Sequence, residues 1–588
     1  MTTRSASLIS TIALGLLHMM VHAQIELRYE QNQTLSYDEV IAAYNYLDEK
    51  YDQAQLFNIG PTDIGRPLNL FVLSQDGDFD PVSIHERNKT VVFILNGIHP
   101  GEPPGVDACI EFSENVLSGY QGMDRYLEHA VVCIVPVYNI GGHMNRSPFN
   151  RANQDTPQET GFRGNARNLD LNRDFIKLDS KNARSLVNAI QEWEPEVFLD
   201  THVTNGSDHQ YTITLIPTVH QRLPDPMARY FKDEMVPALF QAMKSSPYEM
   251  IPYVNWVTRD PSNGIGAYFD APRVSSGYAS LFNIYSFMTE NHVYKDFRDQ
   301  VKSVYYFIDA LVDFANQHAD EIIETKRQGD AAVAGLDQFI SAWEPDTTQF
   351  DLLEFKGYEM VRKTSALTGG QSMYYDKERP YTRTIPYYQY FQASGTITRP
   401  TSYIIPQAWD RAIERLKLNG VQMRPLNSDT TLEVESYYIE DVRHSDRPYN
   451  GHFRNSRIRV RKELQTIQFH KGDYVVVLNQ PRNRFIMEVL EPTTEDSYLS
   501  WNFFDPIFDR REYFSPYGFE KKAFQYLEEH PDLRAAFMKK KMEDEAFATN
   551  HYAQLQFIYS NSPFMEKSYM RHPVYRYMGG LDWILEKK

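Results

Sequence analysis

Residues 90–105 read TVVFILNGIHPGEPPG, and this stretch indicates both the fold of the chain and the place of a site. Its first six residues form a nearly continuous apolar run, which is typical of a strand buried on both faces of a sheet. His99 and Glu102 follow three positions apart, where the predicted strand has ended. Because a chain with 17 histidines contains about one His-x-x-Glu pair by chance, this pair needs partners elsewhere in the sequence.

A second pair of this kind, His318 and Glu321, shows how the pattern arises without a site. It lies in VDFANQHADEIIETKRQ, residues 312–328. The apolar spacing of that segment predicts an amphipathic helix with both residues on its solvated face.

Three more apolar runs resemble the first, namely AVVCIVPVYN (130–139), EVFLDTH (196–202) and IYSFMTEN (284–291). Helical patterns such as PPGVDACIEFSENVL and KNARSLVNAIQEW lie between them. This alternation predicts an α/β fold, with a mixed, mostly parallel sheet and helices on both faces. In such sheets ligands collect beyond the carboxyl ends of the strands. His99, His202 and Glu290 each fall where an apolar run stops.

The flanking segments predict the rest of the architecture. LSYDEVIAAYNYLDEKY (35–51) has helical spacing, and LFNIG with RPLNLFVLS forms a hairpin around PTDIG. After a long helix that closes near residue 328, the chain becomes rich in Tyr, Thr and Pro. Strand patterns (430–442, 457–464, 473–480) and one helix ending at Gly420 follow. We therefore predict an α/β domain (24–328), a β-rich C-terminal domain (329–519) and a helical tail (520–588).

The start of the chain has the layout of a secretory signal peptide. Residues 1–23 contain one arginine, about a dozen apolar residues and a small-residue end, VHA. We expect their removal on export and a soluble mature protein that is secreted or periplasmic. No later run is long and apolar enough to predict a membrane span.

Charge and cysteine content exclude two classes of function. The formal net charge of −18 argues against a nucleic-acid partner, because phosphate binding needs a basic surface. The two cysteines, Cys109 and Cys133, fall in apolar segments and are expected to be small buried residues. Their pairing stays open, and a cysteine zinc site is not expected.

His99, Glu102 and His202 together offer a set of ligands for one Zn²⁺ ion. Three protein ligands and an open fourth position suit zinc-dependent hydrolysis. The alternative to a metal ligand is that His202 is a hydrogen-bonded histidine at a strand end. Its placement in FLDTHVTNG, preceded by Asp200, favours the ligand.

The segment FRGNARNLDLNRDF, residues 162–175, adds groups that could bind an anion. Arg163, Asn172 and Arg173 lie close together in a loop-like setting, and arginine forks suit carboxylates. Asp170 is placed to accept a hydrogen bond from a ligating histidine. The alternative is a solvated turn of Arg and Asp residues.

Four segments taken together resemble the zinc metallocarboxypeptidase family, the M14 peptidases. HPGE, RGNARNLDLNRDF, DTHVTNG and FMTEN occur in the order and context of that family. The resemblance covers about residues 35–320, including the N-terminal helix and hairpin. The β-rich remainder resembles extensions on exported bacterial members, to which we assign no activity.

The resemblance implies the chemical roles of the strand-end residues. His99, Glu102 and His202 would bind one zinc ion, and Asp170 would lie behind the first of these histidines. Glu290 would be the general base that takes a proton from the attacking water.

The resemblance also implies substrate contacts. Arg163 would stabilise the developing oxyanion, and Asn172 with Arg173 would bind the terminal carboxylate of the substrate. A capping tyrosine is expected as well. Both Tyr268 and Tyr278 precede Glu290, so this choice stays open.

The pocket for the removed side chain would be lined by DAPRVSSGYASLFNIYSFMTE, residues 270–290. If Arg273 points into the pocket, its charge favours Asp or Glu at the substrate terminus. The alternative is an outward Arg273 paired with Asp270, which leaves a pocket of small and apolar residues.

The leading prediction is therefore an exported zinc carboxypeptidase that acts on peptides or proteins. One alternative is a cell-wall peptide amidase or endopeptidase with the same zinc core. Another is a non-catalytic peptide- or glycan-binding protein that uses its Tyr-rich C-terminal region. The sequence leaves the oligomeric state open.

Overall fold

The computed structural model describes residues 25–258 and 260–581, so the predicted signal peptide lies outside the described residues. The α/β class is confirmed. Its central element is an eight-stranded sheet, with the order β1-β2-β4-β3-β5-β10-β6-β7. These strands are β1 (Ala54–Pro61), β2 (Pro67–Leu73), β3 (Thr90–Leu95), β4 (Ala130–Val135), β5 (Val197–Thr204), β6 (Ile213–Pro217), β7 (Met250–Pro252) and β10 (Tyr285–His292). Strands β6 and β7 were not among the predicted runs.

The pairing in this sheet is mixed and mostly parallel. Strands β4, β3, β5 and β10 run parallel as neighbours, as do β6 and β7. The hairpin β1–β2 and the pairs β2–β4 and β6–β10 are antiparallel. The predicted N-terminal hairpin is thus confirmed.

Helices cover both faces of the sheet, because each central strand is apolar on both sides. Val91 and Phe93 of β3 join one core cluster, whereas Val92 and Ile94 join the other. The helices of this part are α1 (Tyr37–Lys50), α2 (Pro81–Glu86), α3 (Pro104–Ser118), α4 (Ile140–Met144), α5 (Lys181–Trp193), α6 (Asp225–Tyr230), α7 (Val236–Ser245), α8 (Ser275–Leu281), α9 (Phe297–Gln317) and α10 (Ala319–Ala334).

The predicted long closing helix is two helices. It breaks at His318, whose ring stacks on Phe314 with centroids 4.3 Å apart, and α10 continues to Ala334. His318 therefore packs at a helix junction, and the His318–Glu321 pair belongs to no ligand cluster within the described residues.

The C-terminal region is built mainly of antiparallel strands. It contains β11 (Gln338–Pro345), β12 (Asp351–Thr364), β13 (Gln371–Tyr388), β14 (Phe391–Thr398), β15 (Ser402–Ile405), β16 (Arg424–Pro425), β17 (Thr430–His444), β18 (Asn455–Phe469), β19 (Tyr474–Val477) and β20 (Tyr575–Tyr577). Helices α11 (Asp410–Leu418) and α12 (Asn483–Leu490) pack among them. Gly420 has φ +67°, as a glycine beyond a helix end should.

Helices follow near the C-terminus, as predicted, but they do not end the chain. The run α13 (Pro516–Glu529), α14 (Pro531–Glu543), α15 (Glu545–Thr549) and α16 (His551–Ser560) forms its own small core. The chain then returns through β20, which pairs with β15 and β17.

The two main regions share packing. Strands β8 (Asn255–Trp256) and β9 (Ile265–Gly266) join β12 and β13 in one sheet. One core cluster also combines Leu68 and Phe198 of the central sheet with Phe485 and Val574 of the C-terminal region. The predicted domain boundaries remain predictions.

Two further sequence expectations have a structural counterpart. Cys109 in α3 and Cys133 in β4 are both buried, and both are free thiols. Among the described helices, none combines the length and the apolar character that crossing a bilayer requires.

Candidate metal centre and catalytic cleft

Neighbouring strands of the central sheet bring the predicted site residues together. Parallel strands β5 and β10 pair His202 directly with Glu290, so both residues lie at the same level of the sheet. Strand β3 pairs with the other edge of β5. His99 and Glu102 follow β3 in the turn that leads into α3. The carboxyl ends of three adjacent strands thus supply one site, as expected for this type of sheet.

The candidate metal ligands converge on one point. The ligand atoms of His99, Glu102 and His202 lie within 4.8 Å of one another, and all three residues are buried. Glu102 Oε2 is 2.9 Å from His202 Nδ1 and 3.4 Å from His99 Nδ1. These distances are close to the ~3.3 Å between two atoms that each lie ~2.0–2.1 Å from one ion in tetrahedral geometry.

The second ring nitrogen of each histidine contacts a carboxylate. His99 Nε2 lies 3.0 Å from Asp170 Oδ1, and His202 Nε2 lies 2.8 Å from Asp200 Oδ2. An Nε2–H that donates to a carboxylate leaves the lone pair on Nδ1, which faces Glu102. Burial opposes the ionisation of Asp170, but the hydrogen bond from His99 and the charges of nearby arginines hold its pKa well below its usual range.

These residues fit a zinc ion. Two imidazoles and one carboxylate form a ligand set that catalytic zinc sites use, with a fourth position for water or substrate. Burial alone would raise the pKa of Glu102, but Arg151 and His99 hold it well below its usual range. Glu102 is therefore an anionic ligand, fixed further by the Val203 N–H, which donates to Oε2 at 3.0 Å.

Glu290 lies beside the ligand set and lines the same cleft, whose volume is about 230 Å³. Its side chain is partly buried, and within the described residues the buried oxygen Oε2 has no hydrogen-bond partner. Burial raises the pKa of Glu290 to about 8, and the charge of His202 opposes that shift. A partly buried carboxylate that faces a cleft without a partner is suited to exchange a proton with a bound molecule.

Two arginines surround Glu102. Arg163 donates from Nε to Asp170 Oδ2 at 3.0 Å, and its Nη1 lies 3.7 Å from Glu102 Oε1. The Arg163 side chain is 47% exposed and lines the cleft. Arg151 donates to Glu102 Oε1 at 2.6 Å and also lines the cleft.

Asn172 and Arg173 lie on one wall of the cleft. The Asn172 Oδ1 accepts a hydrogen bond from the Ser275 N–H at 2.9 Å, which fixes the orientation of the amide. Asn172 Nδ2 lies 3.4 Å from His202 Nε2. If His202 Nε2 carries the proton that is donated to Asp200, then Nε2 and Asn172 Nδ2 are both donors and do not hydrogen-bond to each other. The N–H groups of the Asn172 amide are then free for a ligand.

The structure distinguishes the two candidate capping tyrosines. Tyr268 lines the cleft. Tyr278 is fully buried, donates to Asn419 Oδ1 at 2.7 Å and accepts from Gln191 Nε2 at 3.1 Å. Tyr278 is therefore a core residue, and the substrate-binding assignment falls to Tyr268.

The expectation that Arg273 enters the substrate pocket is wrong. Its guanidinium lies 2.8 Å from Glu495 and 3.0 Å from Asp496, both in the C-terminal region, and it does not line the described cleft. The outward alternative named the wrong partner, because Asp270 pairs with Arg222 at 3.2 Å. The sequence could not show this, since the buried Asp496 lies far along the chain.

Two residues that line the cleft, Arg151 and Tyr253, and one residue behind a candidate ligand, Asp200, were not predicted as site residues. Arg151 stands in no motif that was recognised, and Asp200 was noted only as a neighbour of His202. Tyr253 lines the cleft, and its ring lies 6.2 Å from that of Tyr268. The position of Asp200 two residues before His202 on a buried strand was an available signal, because a buried carboxylate needs a partner.

Comparisons with known proteins agree with this geometry. A family model described as zinc carboxypeptidase matches residues 40–214. Carboxypeptidase 2 of Trichophyton equinum is 21% identical over 429 residues, which cover 70% of this chain and 74% of the relative. Carboxypeptidase 2 of Trichophyton rubrum is 20% identical over 435 residues, with the same coverage of both chains.

Solved structures with similarity to the chain include two carboxypeptidases. The metallo-carboxypeptidase of Burkholderia cenocepacia has a TM-score of 0.36 and 20% identity, covering 49% of this chain and 70% of its own. Carboxypeptidase A of Helicoverpa armigera has a TM-score of 0.37 and 14% identity, covering 49% and 74%.

Residues 40–214 thus match the zinc carboxypeptidase model, and the described site holds a His-Glu-His set that could bind a metal ion. The predicted resemblance to the zinc carboxypeptidase family is thus confirmed, with the family model matching residues 40–214.

Proposed function

We propose that the chain is an exported, zinc-dependent carboxypeptidase that removes C-terminal residues from peptides or proteins, with Glu290 as general base. The observation that carries this proposal is the convergence of three groups in one cleft. A His-Glu-His ligand set, an unpartnered, partly buried carboxylate and the cationic wall of Arg163 and Arg173 all face the same space.

His99, Glu102 and His202 would hold the metal through two Nδ1 atoms and one carboxylate. Zn²⁺ bound there supplies a Lewis acid for the scissile carbonyl and lowers the pKa of water. Asp170 and Asp200 keep the Nε2 protons in place and so orient both imidazoles.

Glu290 accepts a proton from the attacking water and delivers it to the nitrogen of the leaving amino acid. This exchange balances the proton that the nucleophile loses with the one that the leaving amine gains. Arg163 faces the cleft and stabilises the negative charge that develops on the carbonyl oxygen. Removing one such stabilising group typically lowers the rate about 10²- to 10³-fold.

Asn172 and Arg173 bind the free carboxylate at the end of the substrate. An arginine fork with a neighbouring amide offers several donors to two carboxylate oxygens. Tyr268 closes the other side of the cleft. A carboxylate-binding arrangement of this kind favours cleavage of the last peptide bond over an internal one.

Mass-spectrometric analysis of a peptide library, with and without a zinc chelator, tests the proposal. We expect stepwise loss of single C-terminal residues, abolished by the chelator and restored by added zinc. Cleavage at internal bonds would favour the endopeptidase alternative. Binding without cleavage would favour the non-catalytic alternative.

Export is tested separately by the mature N-terminus. We expect the protein isolated from the medium or periplasm to begin near Gln24. A mature protein that keeps residues 1–23 would contradict the signal-peptide interpretation.

A further inference from the structure

The hairpin of β17 and β18 extends from the C-terminal region to the substrate cleft. Its tip, residues 449–452, reads YNGH. Tyr449 N–H donates to His452 O at 2.8 Å, and His452 N–H donates to Tyr449 O at 3.1 Å. Asn450 and Gly451 between them have φ of 50° and 85°. An Asn-Gly pair is the preferred sequence for a two-residue turn with both φ values positive, so this YNGH tip is well defined locally.

The YNGH tip forms hydrogen bonds with the loop that carries Asn172 and Arg173, the predicted carboxylate clamp. Asn450 Oδ1 accepts from the Asp170 N–H at 2.8 Å, and Asn450 Nδ2 donates to the Asp170 carbonyl at 3.0 Å. Farther along that loop, His452 Nε2 lies 2.6 Å from Asp179 Oδ2. Two hydrogen bonds therefore hold the backbone at Asp170 before Arg173, and a third holds the side chain of Asp179 after it.

The tip also contacts Arg173 of this clamp directly. Tyr449 Oη accepts a hydrogen bond from Arg173 Nε at 2.9 Å, and Arg173 Nη1 donates to the Asn172 carbonyl at 2.6 Å. Within the described residues the hydrogen bonds of Arg173 use Nε and one N–H of Nη1, so the Nη2 N–H groups and the second N–H of Nη1 remain for a ligand. The Tyr449 ring stacks on the fully buried Trp501, with centroids 6.1 Å apart and planes at 26°.

We infer that Tyr449 is a positioning residue of the peptidase, which holds Arg173 in the orientation that receives the terminal carboxylate. This inference rests on the proposed function. A long arginine side chain loses much rotamer freedom when it binds, and fixing it beforehand reduces that cost. Trp501 in turn fixes the Tyr449 ring, so the C-terminal region completes the substrate site of the α/β region.

Tyr449→Phe tests the inference, because it removes the hydroxyl and keeps the ring on Trp501. We expect KM for a peptide with a free C-terminus to rise about 5- to 10-fold, as for loss of one typical hydrogen bond, with kcat within about twofold. The same peptide with an amidated C-terminus should show no change. Tyr517→Phe, at a residue 95% exposed in α13, is the matched control.

A double-mutant cycle separates positioning from a structural role. In an Arg173→Ala background, Tyr449→Phe should have no further effect on KM. An equal loss in both backgrounds would overturn the inference, as would an unchanged KM in the single variant. Equal zinc content and equal Tm of all variants serve as the folding controls.

Different experimental results would contradict the proposed function and the role of Tyr449. A wild-type protein that cleaves neither peptide contradicts the proposed function itself. A wild-type protein that prefers the free C-terminus, together with a Tyr449→Phe variant of unchanged KM, contradicts only the role of Tyr449.

Discussion

The central sheet and the β17–β18 hairpin contribute to the cleft differently, because the sheet supplies residues that line it and the hairpin contacts one lining residue, Arg173. Every residue of β3 and β4 is buried, whereas β18 alternates between partly buried and exposed residues along most of its length. The sheet delivers functional side chains at strand ends, where apolar runs visibly stop. The hairpin delivers Tyr449 from a turn far along the chain. A strand end can be recognised locally, but the target of a protruding turn depends on how two regions pack.

The largest effect is expected for the sheet. His202→Ala removes one of three ligands, so bound zinc should fall from one ion per chain to below about a tenth. Even residues that only orient a ligand change metal affinity about 10- to 100-fold. Elemental analysis of the purified variant checks this result. His318→Ala, at the helix junction, should keep its zinc, and equal zinc in wild type and His202→Ala would contradict the ligand assignment.

Glu290→Gln should separate chemistry from metal binding within the same sheet. The amide cannot accept a proton, so kcat should fall by about 10²- to 10⁴-fold while zinc stays bound. Steady-state kinetics and metal analysis on one preparation measure both quantities. Glu321→Gln, at an exposed position of α10, is the matched control. Turnover close to wild type in Glu290→Gln would place the base elsewhere.

The loop that carries Asn172 and Arg173 should determine exopeptidase action. Amidation of the substrate C-terminus removes the charge that Arg173 binds, so kcat/KM should fall about 10- to 100-fold. Parallel assays of the free and amidated forms of one peptide measure the ratio. In Arg173→Ala the two forms should react at similar rates. An unchanged rate on the amidated peptide in wild type would favour the endopeptidase alternative.

The smallest effect on activity is expected at Arg273, where the α/β region contacts the C-terminal region. Arg273→Ala should leave the relative kcat/KM for peptides ending in Glu, Phe and Lys unchanged, because the side chain faces Asp496. The free energy of unfolding should fall by about 1–3 kcal/mol, since the buried Asp496 loses a charged partner. Denaturant unfolding measures this, with the exposed Arg459→Ala as control. If the wild type preferred peptides ending in Glu and Arg273→Ala lost that preference, the result would indicate that Arg273 faces the pocket.

Sequence patterns predicted the fold of the α/β region well, because its strands are buried on both faces and its helices are amphipathic. The metal ligands and Glu290 could be found for the same reason, since each follows an apolar run. Short edge strands such as β6 and β7 carry too few residues for a clear pattern. The choice between Tyr268 and Tyr278 depended on burial, and the partner of Arg273 depended on a contact between distant segments. Local sequence contains neither kind of information.

The YNGH tip also has a consequence for the order of events during synthesis. The ribosome delivers His99, His202 and Glu290 well before Tyr449. A nascent chain that has already exposed Glu290 therefore still lacks the turn that holds Arg173. The site for the terminal carboxylate is therefore complete only after the C-terminal region has emerged. The part of the cleft that would bind this carboxylate is thus the last to be assembled.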